Sequence, residues 1–365
     1  MRAAVLEKVG APLTIEELEL DDPQAGEVLV RLVASGVCHS DLHNQQGVHP
    51  PPTPVVLGHE GAGVVERVGA GVDHVRPGDH VVLTWLPYCG RCRWCATGRP
   101  ARCTGMAWIE DGTMPDGTIR MRRADGTPVK HYTTSSFAER TVVPSQTAIP
   151  VDADLDLTQL ALIGCAVMTG VGAVLNTARV AAGDTVAVVG CGGVGLNVVQ
   201  GAAIAGASRI VAVDRDGAKL ALAAELGATD LVKVADGEDP AAAVRELSGG
   251  GVDHSFEAVG RPDTIELAMA VTGIGGQAVL VGMAPPGAHV PLEPLQLTLG
   301  ERAVRGSWYG STRPFRDVPL LIDLFRSGRL QLEPLVTRCS LDQVNEALAA
   351  METASPARSV IVYDR

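Results

Sequence analysis

Four cysteines lie close together in the chain, and their spacing is typical of a metal site. They are Cys89, Cys92, Cys95 and Cys103. Four thiolates on a short loop can surround one ion tetrahedrally, and four sulfur ligands with no open position are typical of structural zinc. Free thiols are one alternative. An iron–sulfur cluster is another, but its bacterial pattern places the fourth cysteine after three residues and follows it with proline. Here seven residues intervene and Thr104 follows, so we expect zinc.

A second group of sulfur and nitrogen donors is scattered along the chain. Cys38, His59 and Cys165 carry atoms of the kind that zinc binds. Each is a weak signal by itself, because a lone cysteine is most often a small buried residue and a lone histidine a hydrogen-bonded polar one. The residue types alone therefore leave this second site open.

A glycine-rich segment, Gly190-Cys-Gly-Gly-Val-Gly195, fits the dinucleotide-binding pattern G-x-G-x-x-G. It follows a predicted strand at Thr185–Val189 and opens a predicted helix, as that pattern requires. Its glycines, Gly190, Gly192, Gly193 and Gly195, let the turn close and let backbone N–H groups approach a pyrophosphate.

The next predicted strand ends in Asp214, whose carboxylate can accept hydrogen bonds from ribose hydroxyls and would repel a 2′-phosphate. We therefore expect NAD rather than NADP, although Arg215 beside it weakens that preference. A tight structural turn with an ordinary strand-end aspartate is the alternative.

Two kinds of secondary structure must position these groups. From Gly26 to about residue 85, short β-branched runs broken by glycine and proline predict an antiparallel or barrel-like β domain. From about residue 167, apolar strands alternate with helical segments, which predicts a parallel sheet covered on both faces. Residues 99–140 lack periodicity and predict a long surface excursion that contains a hairpin.

Composition and charge exclude several classes of protein. The chain has 365 residues, 30 basic and 42 acidic side chains and a net charge of −12, so its surface field disfavours nucleic acid and anionic lipid. Hydrophobic residues at 46% with 20% charged residues exclude intrinsic disorder. No apolar run reaches the ~18 residues of a membrane span. Charged residues near the start disfavour a secretory signal, so we expect a cytoplasmic location.

Together, the motifs resemble one family, the zinc-containing medium-chain alcohol dehydrogenases, in the long form that carries a four-cysteine loop. The similarity extends from Gly26 to Arg358. The matching segments are Cys38-His-Ser-Asp-Leu-His43, Gly58-His-Glu60, the four-cysteine loop, Gly164-Cys165, Thr169-Gly170, the glycine-rich turn with Asp214, and Arg358.

The resemblance implies an α/β fold in which a GroES-like, β-rich catalytic domain is joined to a doubly wound Rossmann nucleotide-binding domain. Residues 1–166 and 309–365 would form the catalytic domain with both zinc sites, and residues 167–308 the nucleotide-binding domain. The active site would lie in the cleft between them.

The resemblance also implies two zinc ions per chain. Cys38, His59 and Cys165 would bind the catalytic ion and leave a fourth position to the substrate, while the four-cysteine loop would bind the structural ion. Glu60 would lie behind the catalytic ion as an occasional or outer ligand, and Asp41 would orient His59. An ordinary strand-end acid is the alternative for Glu60.

A proton relay and a set of cofactor contacts follow from the same resemblance. Ser40 would accept the hydroxyl proton of the substrate, and His43 would exchange it with solvent; a local turn contact and an ordinary surface histidine are the alternatives. Thr169 and Val194 would press on the nicotinamide ring. The remaining cofactor-binding residues would be His39 and Arg358, at the pyrophosphate, with Arg215 and Lys219; a solvated charge is the alternative for Arg358.

The substrate pocket of the family corresponds to Trp85, Met283 and Trp308. These large apolar walls favour a compact primary, aryl or allylic alcohol or its aldehyde. A thiol-adduct formaldehyde dehydrogenase is the nearest alternative, which the segment Met114-Pro-Asp-Gly-Thr118 also resembles. However, Ala107 stands where glutathione-dependent members carry an arginine. A nucleotide-binding zinc protein without turnover is a further alternative. A homodimer is expected by analogy, with a tetramer as the alternative.

Overall fold

The chain divides into two compact units. The computed structural model describes residues 1–235, 237–351 and 357–364. The first unit comprises Met1–Cys165, Arg313–Ile322 and Leu335–Arg365, and the second comprises Ala166–Thr312 and Asp323–Pro334. The predicted division assigned Ala166 and residues 309–312 to the first domain, whereas they lie in the second unit. The same difference applies to residues 323–334. They belong to the second unit because Gln200 both donates to the backbone of Gln331 and accepts from it, at 3.1 and 2.7 Å.

Nineteen strands are present in the described part of the chain. They are β1 (Arg2–Leu6), β2 (Thr14–Glu17), β3 (Glu19–Leu20), β4 (Glu27–Gly36), β5 (Val55–Val56), β6 (Glu60–Val68), β7 (His80–Leu83), β8 (Met121–Arg122), β9 (Pro128–His131), β10 (Arg140–Pro144), β11 (Ala148–Val151), β12 (Thr185–Val189), β13 (Arg209–Asp214), β14 (Asp230–Lys233), β15 (Val252–Glu257), β16 (Thr272–Leu280), β17 (Ala303–Gly306), β18 (Val336–Cys339) and β19 (Arg358–Val362).

The described residues also form twelve α-helices, several of a single turn. They are α1 (His39–Gln46), α2 (Arg93–Ala96), α3 (Trp108–Asp111), α4 (Leu157–Leu160), α5 (Ala166–Gly172), α6 (Gly193–Ala205), α7 (Gly217–Glu225), α8 (Pro240–Ser248), α9 (Pro262–Val271), α10 (Pro294–Gly300), α11 (Pro314–Arg326) and α12 (Val344–Ala350). Among them, no single helix has the length and apolar character to cross a membrane. One bent pair, Leu157–Gly164 with Ala166–Ala178, meets the length and composition criteria together.

The first unit contains two sheets. One has the order β11-β7-β6-β4-β19-β18 with β10 paired to β4, and the other has the order β2-β1-β5-β9-β8-β3. Strand β4 is the central strand of the larger sheet: it pairs with β6, β10 and β19, and it is buried along most of its length. One hydrophobic core joins the sheets and includes Val5 of β1, Val30 of β4 and Leu348 of α12.

The second unit contains one six-stranded sheet with the order β14-β13-β12-β15-β16-β17. All of its pairings are parallel. Numbered within the unit, this order is 3-2-1-4-5-6, which is the doubly wound arrangement that binds dinucleotides where the strand order reverses. Its central strand Thr185–Val189 reads as an almost continuous apolar run because both of its faces are covered.

The segment 99–140 is not simply a surface excursion. It contains the hairpin β8–β9, whose turn includes Gly126 at a φ of 87°. Strand β9 also pairs in parallel with β5, the strand that leads towards His59. The side chain of Arg120 is buried and forms ion pairs with Glu27 and Asp116, both at 2.7 Å. The pair with Glu27 is buried on both sides, and removing one partner of a buried pair costs about 3–5 kcal/mol, so this pair fixes the segment to strand β4.

Candidate active site and zinc centres

The four-cysteine loop gathers its sulfur atoms into one cluster. The four Sγ atoms lie within 4.8 Å of one another. Cys92 Sγ lies 3.6 Å from that of Cys95 and 3.9 Å from that of Cys103. Zinc with Zn–S bonds of about 2.3 Å in a tetrahedron places its sulfur ligands about 3.8 Å apart. The donor set and its spacing therefore fit one zinc ion.

The backbone of this loop is shaped around the sulfurs. Gly90 and Gly98 both have a φ of 71°, which L side chains rarely adopt. A Cβ on Gly105 would lie 2.9 Å from the Cβ of Cys89, so glycine permits the approach. Backbone N–H groups of Cys95 and Thr104 lower the pKa of Cys92 to about 5. The loop thus favours a thiolate at Cys92, which is the form that binds metal, whereas burial raises the pKa of Cys95 and Cys103.

A second cluster joins residues that are far apart in the chain. The ligand atoms of Cys38, His59, Glu60 and Cys165 lie within 4.8 Å of one another, and all four residues are buried. Cys38 is the N-cap of α1, directly after β4, while Glu60 begins β6. A Cβ on Gly164 would lie 2.3 Å from the backbone oxygen of Leu83, so glycine brings Cys165 close to the sheet.

The carboxylate of Asp41 connects two members of this cluster. Its Oδ2 accepts from the backbone N–H of Cys38 at 3.0 Å. Its Oδ1 lies 3.1 Å from His59 Nδ1 and accepts from the backbone N–H of Gly58 at 3.2 Å. The bond at Nδ1 leaves Nε2 of His59 as the metal-binding nitrogen. Asp41 therefore fixes both the start of α1 and the orientation of the imidazole.

The cluster perturbs the ionisation of its members. A hydrogen bond from Cys165 lowers the pKa of Cys38 well below its ordinary value, and the positive charges of Arg358 and His59 lower it further. Burial alone would lower the pKa of His59, but Asp41 and the two thiols outweigh it and raise that pKa. Two sulfurs and one imidazole nitrogen within a buried site form a donor set that fits zinc and leaves room for a fourth ligand.

Glu60 is held by an ion pair. Its Oε1 accepts from the guanidinium of Arg358 at 2.5 Å, and both side chains are buried. Burial raises the pKa of Glu60 to about 7, against the opposing charge of Arg358. Its other oxygen, Oε2, has no hydrogen-bond partner in the described chain. Arg358 therefore pairs with Glu60 within the first unit, and its predicted contact with the pyrophosphate stays a prediction.

Gly36, at the end of β4, is a site residue that was not predicted from the sequence. A Cβ on this residue would lie 2.2 Å from Oε2 of Glu60, so any larger residue would displace the carboxylate. A glycine at the end of an apolar strand is the only sequence signal for this role, and it is weak because glycine ends many strands.

Helix α1 carries the predicted relay residues. Ser40 Oγ lies 3.8 Å from Cys38 Sγ. The ring of His43 lies 4.9 Å from that of His39 and 6.4 Å from that of His49. Burial, together with the charges of these two histidines, lowers the pKa of His43. The structure thus brings Ser40 to the sulfur and nitrogen cluster, while the proton relay itself stays a prediction.

The glycine-rich turn has the shape that a dinucleotide requires. Gly190 has a φ of 92°, and a Cβ on it would lie 2.3 Å from Val259 Cγ2. A Cβ on Gly195 would lie 1.8 Å from the backbone oxygen of Gly190, so the helix packs directly on the turn. Gly192, the N-cap of α6, has nothing within 4 Å of its Cβ position. That open space allows a pyrophosphate to approach the backbone, so the turn fits NAD.

Asp214 lies at the end of β13, next to this turn. Its Oδ2 accepts from the backbone N–H of Cys191 at 2.7 Å, and its Oδ1 from that of Asp216 at 2.9 Å. Both oxygens are therefore held in a fixed orientation. Arg215 is exposed and Lys219 is partly exposed on α7. Their cofactor contacts stay predictions.

Thr169 lies on α5, which packs closely against α6. A Cβ on the neighbouring Gly170 would lie 2.5 Å from the backbone oxygen of Val194, so glycine brings Thr169 and Val194 together. The predicted pocket residues fall in both units. Trp85 belongs to the first and is partly exposed, whereas Met283 and Trp308 belong to the second and are 37% and 50% exposed. Their shared pocket stays a prediction.

The fold and the donor clusters define a zinc-binding, dinucleotide-binding oxidoreductase. Comparison with known families agrees with this class. A family profile described as an alcohol dehydrogenase GroES-like domain matches residues 24–153, and one described as a zinc-binding dehydrogenase matches residues 193–327.

Full-length relatives extend the match. An NDMA-dependent alcohol dehydrogenase from Amycolatopsis methanolica is 43% identical, over 99% of this chain and 98% of its own. An S-(hydroxymethyl)glutathione dehydrogenase from Paracoccus denitrificans is 39% identical over 99% of both chains. The crystal structure of benzyl alcohol dehydrogenase from Acinetobacter calcoaceticus matches with a TM-score of 0.91 at 33% identity, over 100% of this chain and 99% of that one.

The chain therefore belongs to the zinc-dependent medium-chain alcohol dehydrogenase family. The predicted fold class, a GroES-like domain with a Rossmann domain, is confirmed. The protein is an alcohol oxidoreductase whose cofactors are zinc and NAD.

We expect two zinc ions per chain by elemental analysis. Cys38→Ala should lower the content to one, because it removes one of three strong donors from the buried cluster. Cys92→Ala should remove the other ion. Cys339→Ala is the matched control, since Cys339 belongs to neither cluster, and it should keep two. One ion in the unaltered protein, or two in Cys38→Ala, would contradict this assignment.

We expect Asp214→Gly to relax cofactor choice. Losing a charged hydrogen-bond acceptor at the ribose should lower kcat/KM for NAD by about 10- to 100-fold and raise it for NADP. Steady-state kinetics with both cofactors measures the ratio. Asp216→Asn is the control, because Asp216 caps α7 through the backbone N–H of Ala218 and should leave the ratio unchanged. An NAD/NADP ratio in Asp214→Gly equal to that of the unaltered protein would refute the ribose role.

Proposed function

We propose that the protein catalyses reversible hydride transfer between NAD and a primary aryl or allylic alcohol, or the corresponding aldehyde. The cluster of Cys38, His59 and Cys165 carries this proposal, because its two sulfurs and one nitrogen lie within 4.8 Å in a buried site. Such a donor set leaves a position for the substrate oxygen. When bound, zinc supplies a Lewis acid that polarises the C–O group, and NAD supplies the hydride acceptor.

The chain's own residues orient the substrate and move its proton. Cys38, His59 and Cys165 hold the ion, and Asp41 fixes the imidazole. Ser40, whose Oγ lies 3.8 Å from Cys38 Sγ, accepts the hydroxyl proton of the alcohol. His43 passes that proton to solvent, and its lowered pKa keeps the imidazole neutral and able to accept it.

Other residues hold the coenzyme in the second unit. The glycine-rich turn and the first turn of α6 bind the pyrophosphate through backbone N–H groups. Asp214 accepts from the ribose hydroxyls. Thr169 and Val194, which Gly170 brings together, press on the nicotinamide ring and set which of its faces reacts.

Apolar side chains support an aryl or allylic alcohol as substrate. The family resemblance places Trp85, Met283 and Trp308 in the substrate pocket, and large apolar side chains of this kind favour compact apolar bodies over charged ones. The similarity to a benzyl alcohol dehydrogenase at 33% identity supports the same class.

A thiol adduct of formaldehyde is the second candidate substrate. The similarity to an S-(hydroxymethyl)glutathione dehydrogenase at 39% identity favours it. Against it, Ala107 cannot pair with the carboxylate of a glutathione adduct. An alcohol with an apolar body therefore remains the better proposal.

A substrate panel tests this choice. We expect benzyl and allyl alcohols to reduce NAD, as measured by the absorbance of NADH. The kcat/KM for S-(hydroxymethyl)glutathione should be lower by at least about tenfold, since its carboxylate lacks a charged partner. Ala107→Arg should raise activity with the glutathione adduct and leave benzyl alcohol unaffected. A preference for the adduct in the unaltered protein would refute the proposal, and no turnover with any alcohol would leave only a binding role.

We also propose that the protein is a homodimer that pairs through β17, an edge strand of the parallel sheet. All four residues of β17 are exposed, and unpaired edge strands readily join another chain. Exposed Ile274, Leu295 and Leu299, at 81%, 59% and 72%, lie in the same unit. The cytoplasmic location stays a prediction from the sequence.

Sedimentation velocity tests the dimer. We expect the unaltered protein to sediment as a dimer, and Val304→Lys with Leu299→Glu to sediment as a monomer, because both add charge at the proposed contact. Leu231→Glu, on the opposite edge strand β14, is the matched control and should remain dimeric. Dissociation by the control but not by the double variant would place the contact elsewhere, and a monomeric unaltered protein would exclude the dimer.

A further inference from the structure

A strained turn lies next to His59. Thr133 and Ser135 have φ values of 51° and 46° although neither is glycine. Positive φ is unusual for such residues, and for a β-branched one it marks a backbone that its surroundings hold in place. The turn closes on itself, because the backbone N–H of Ser135 donates to the Tyr132 oxygen and that of Tyr132 donates to Ser135 Oγ, both at 2.9 Å.

Hydrogen bonds attach this turn to the segment that carries His59. The backbone N–H groups of Ser136 and Phe137 donate to the oxygens of Gly58 and Leu57, both at 3.0 Å. Thr134 Oγ1 also donates to the Gly58 oxygen, at 3.3 Å. A Cβ on Gly58 would lie 2.6 Å from the backbone nitrogen of Phe137, so the two backbones are in direct contact.

The attachment places the ring of Tyr132 against the imidazole of His59. The two ring centroids are 6.0 Å apart and the planes are inclined by 84°, which is an edge-to-face arrangement. Asn44 of helix α1 is close to the Tyr132 side chain and lowers its pKa, against the burial that raises it. The imidazole of His59 therefore has two neighbours that restrict it: Asp41 at Nδ1 and the ring of Tyr132.

A single hydrogen bond at Nδ1 does not fix an imidazole completely, because the ring can still tilt about the axis of that bond. A neighbouring aromatic ring limits this motion. In the described chain, Tyr132 is the aromatic side chain in ring contact with His59. Aromatic pairs contribute about 0.5–1.5 kcal/mol beyond the area they bury, which is enough to disfavour tilting of the His59 ring.

We propose that Tyr132 is a positioning residue for His59: its ring, held in place by the strained turn, keeps Nε2 of the imidazole directed at the sulfurs of Cys38 and Cys165. This inference rests on the proposed role of His59 as a zinc ligand. It assigns the segment 112–136 a function in the metal site, because strand β9 leads directly into the turn.

Zinc release tests this role without relying on turnover. Zinc-loaded protein is mixed with excess 4-(2-pyridylazo)resorcinol, and loss of the two ions is followed by the colour of the chelate. Outer contacts to a metal ligand typically change affinity about 10- to 100-fold, so Tyr132→Leu should accelerate release of one ion by about tenfold or more. Tyr132→Phe keeps the ring and should release the ion at close to the unaltered rate. The ion of the four-cysteine loop should leave at an unchanged rate.

Tyr88→Leu is the matched control, because Tyr88 lies beside the four-cysteine loop, where the charge of Cys95 helps to raise its pKa. It should leave release from the His59 site unchanged. Substitution with Co²⁺ adds a spectroscopic readout: the visible d–d bands should shift in Tyr132→Leu and stay in place in Tyr88→Leu.

Equal release rates and an unshifted cobalt spectrum in Tyr132→Leu would overturn the inference. Should that variant fail to fold, Ser135→Ala decides, because it removes the oxygen that accepts from the Tyr132 backbone; unchanged release from the His59 site in Ser135→Ala would overturn the inference equally. If the unaltered protein binds no ion at the His59 site, the proposed function fails instead, so the two failures are distinct.

Discussion

The buried carboxylate of Asp41 is the interaction on which the metal cluster of the first unit depends. It accepts hydrogen bonds from the Cys38 and Gly58 backbones and lies 3.1 Å from the ring of His59. Cys38 is the N-cap of helix α1 and Asp41 lies in its first turn, so formation of this helix fixes the ligand Cys38. The side chain of Asp41 then orients the second ligand, His59. Transferring an ionised carboxylate out of water is costly unless hydrogen-bond donors surround it. The Cys38 and Gly58 backbones and the His59 ring supply these donors together, so Cys38 and His59 are ordered as a unit.

Charge balance imposes the second constraint. Two thiols and the acids Glu60 and Asp41 share a buried region with Arg358 and His59. Arg358 pairs with one oxygen of Glu60, and the other oxygen is left without a partner in the described chain. The hydrogen bond between the two thiols lowers the pKa of Cys38 and raises that of Cys165, where burial adds to the increase. A divalent cation at this site would compensate the charge of both thiolates.

The sequence predicts sites that one short segment forms, but it does not predict contacts between residues that are far apart in the chain. The four-cysteine loop and the glycine-rich turn are each built from one short segment, so spacing alone predicted their chemistry. Cys165 lies more than a hundred residues beyond His59, and only the resemblance to a family connected them. The pairing of Arg358 with Glu60 had no local signal, because it depends on strand β19 joining β4. The contact of Tyr132 with His59 likewise depends on the parallel pairing of β5 and β9.

That parallel pairing explains why the excursion after the four-cysteine loop is part of the metal site. Strands β5 and β9 run in the same direction, so the chain beyond each strand emerges at the same edge. One continues to His59 and the other to Tyr132, and the two continuations are joined by backbone hydrogen bonds. The excursion is fixed to β4 by the buried pair of Arg120 and Glu27. Strand β4 ends at Gly36, two residues before Cys38, so a single strand supports both the first ligand and the segment that positions the second.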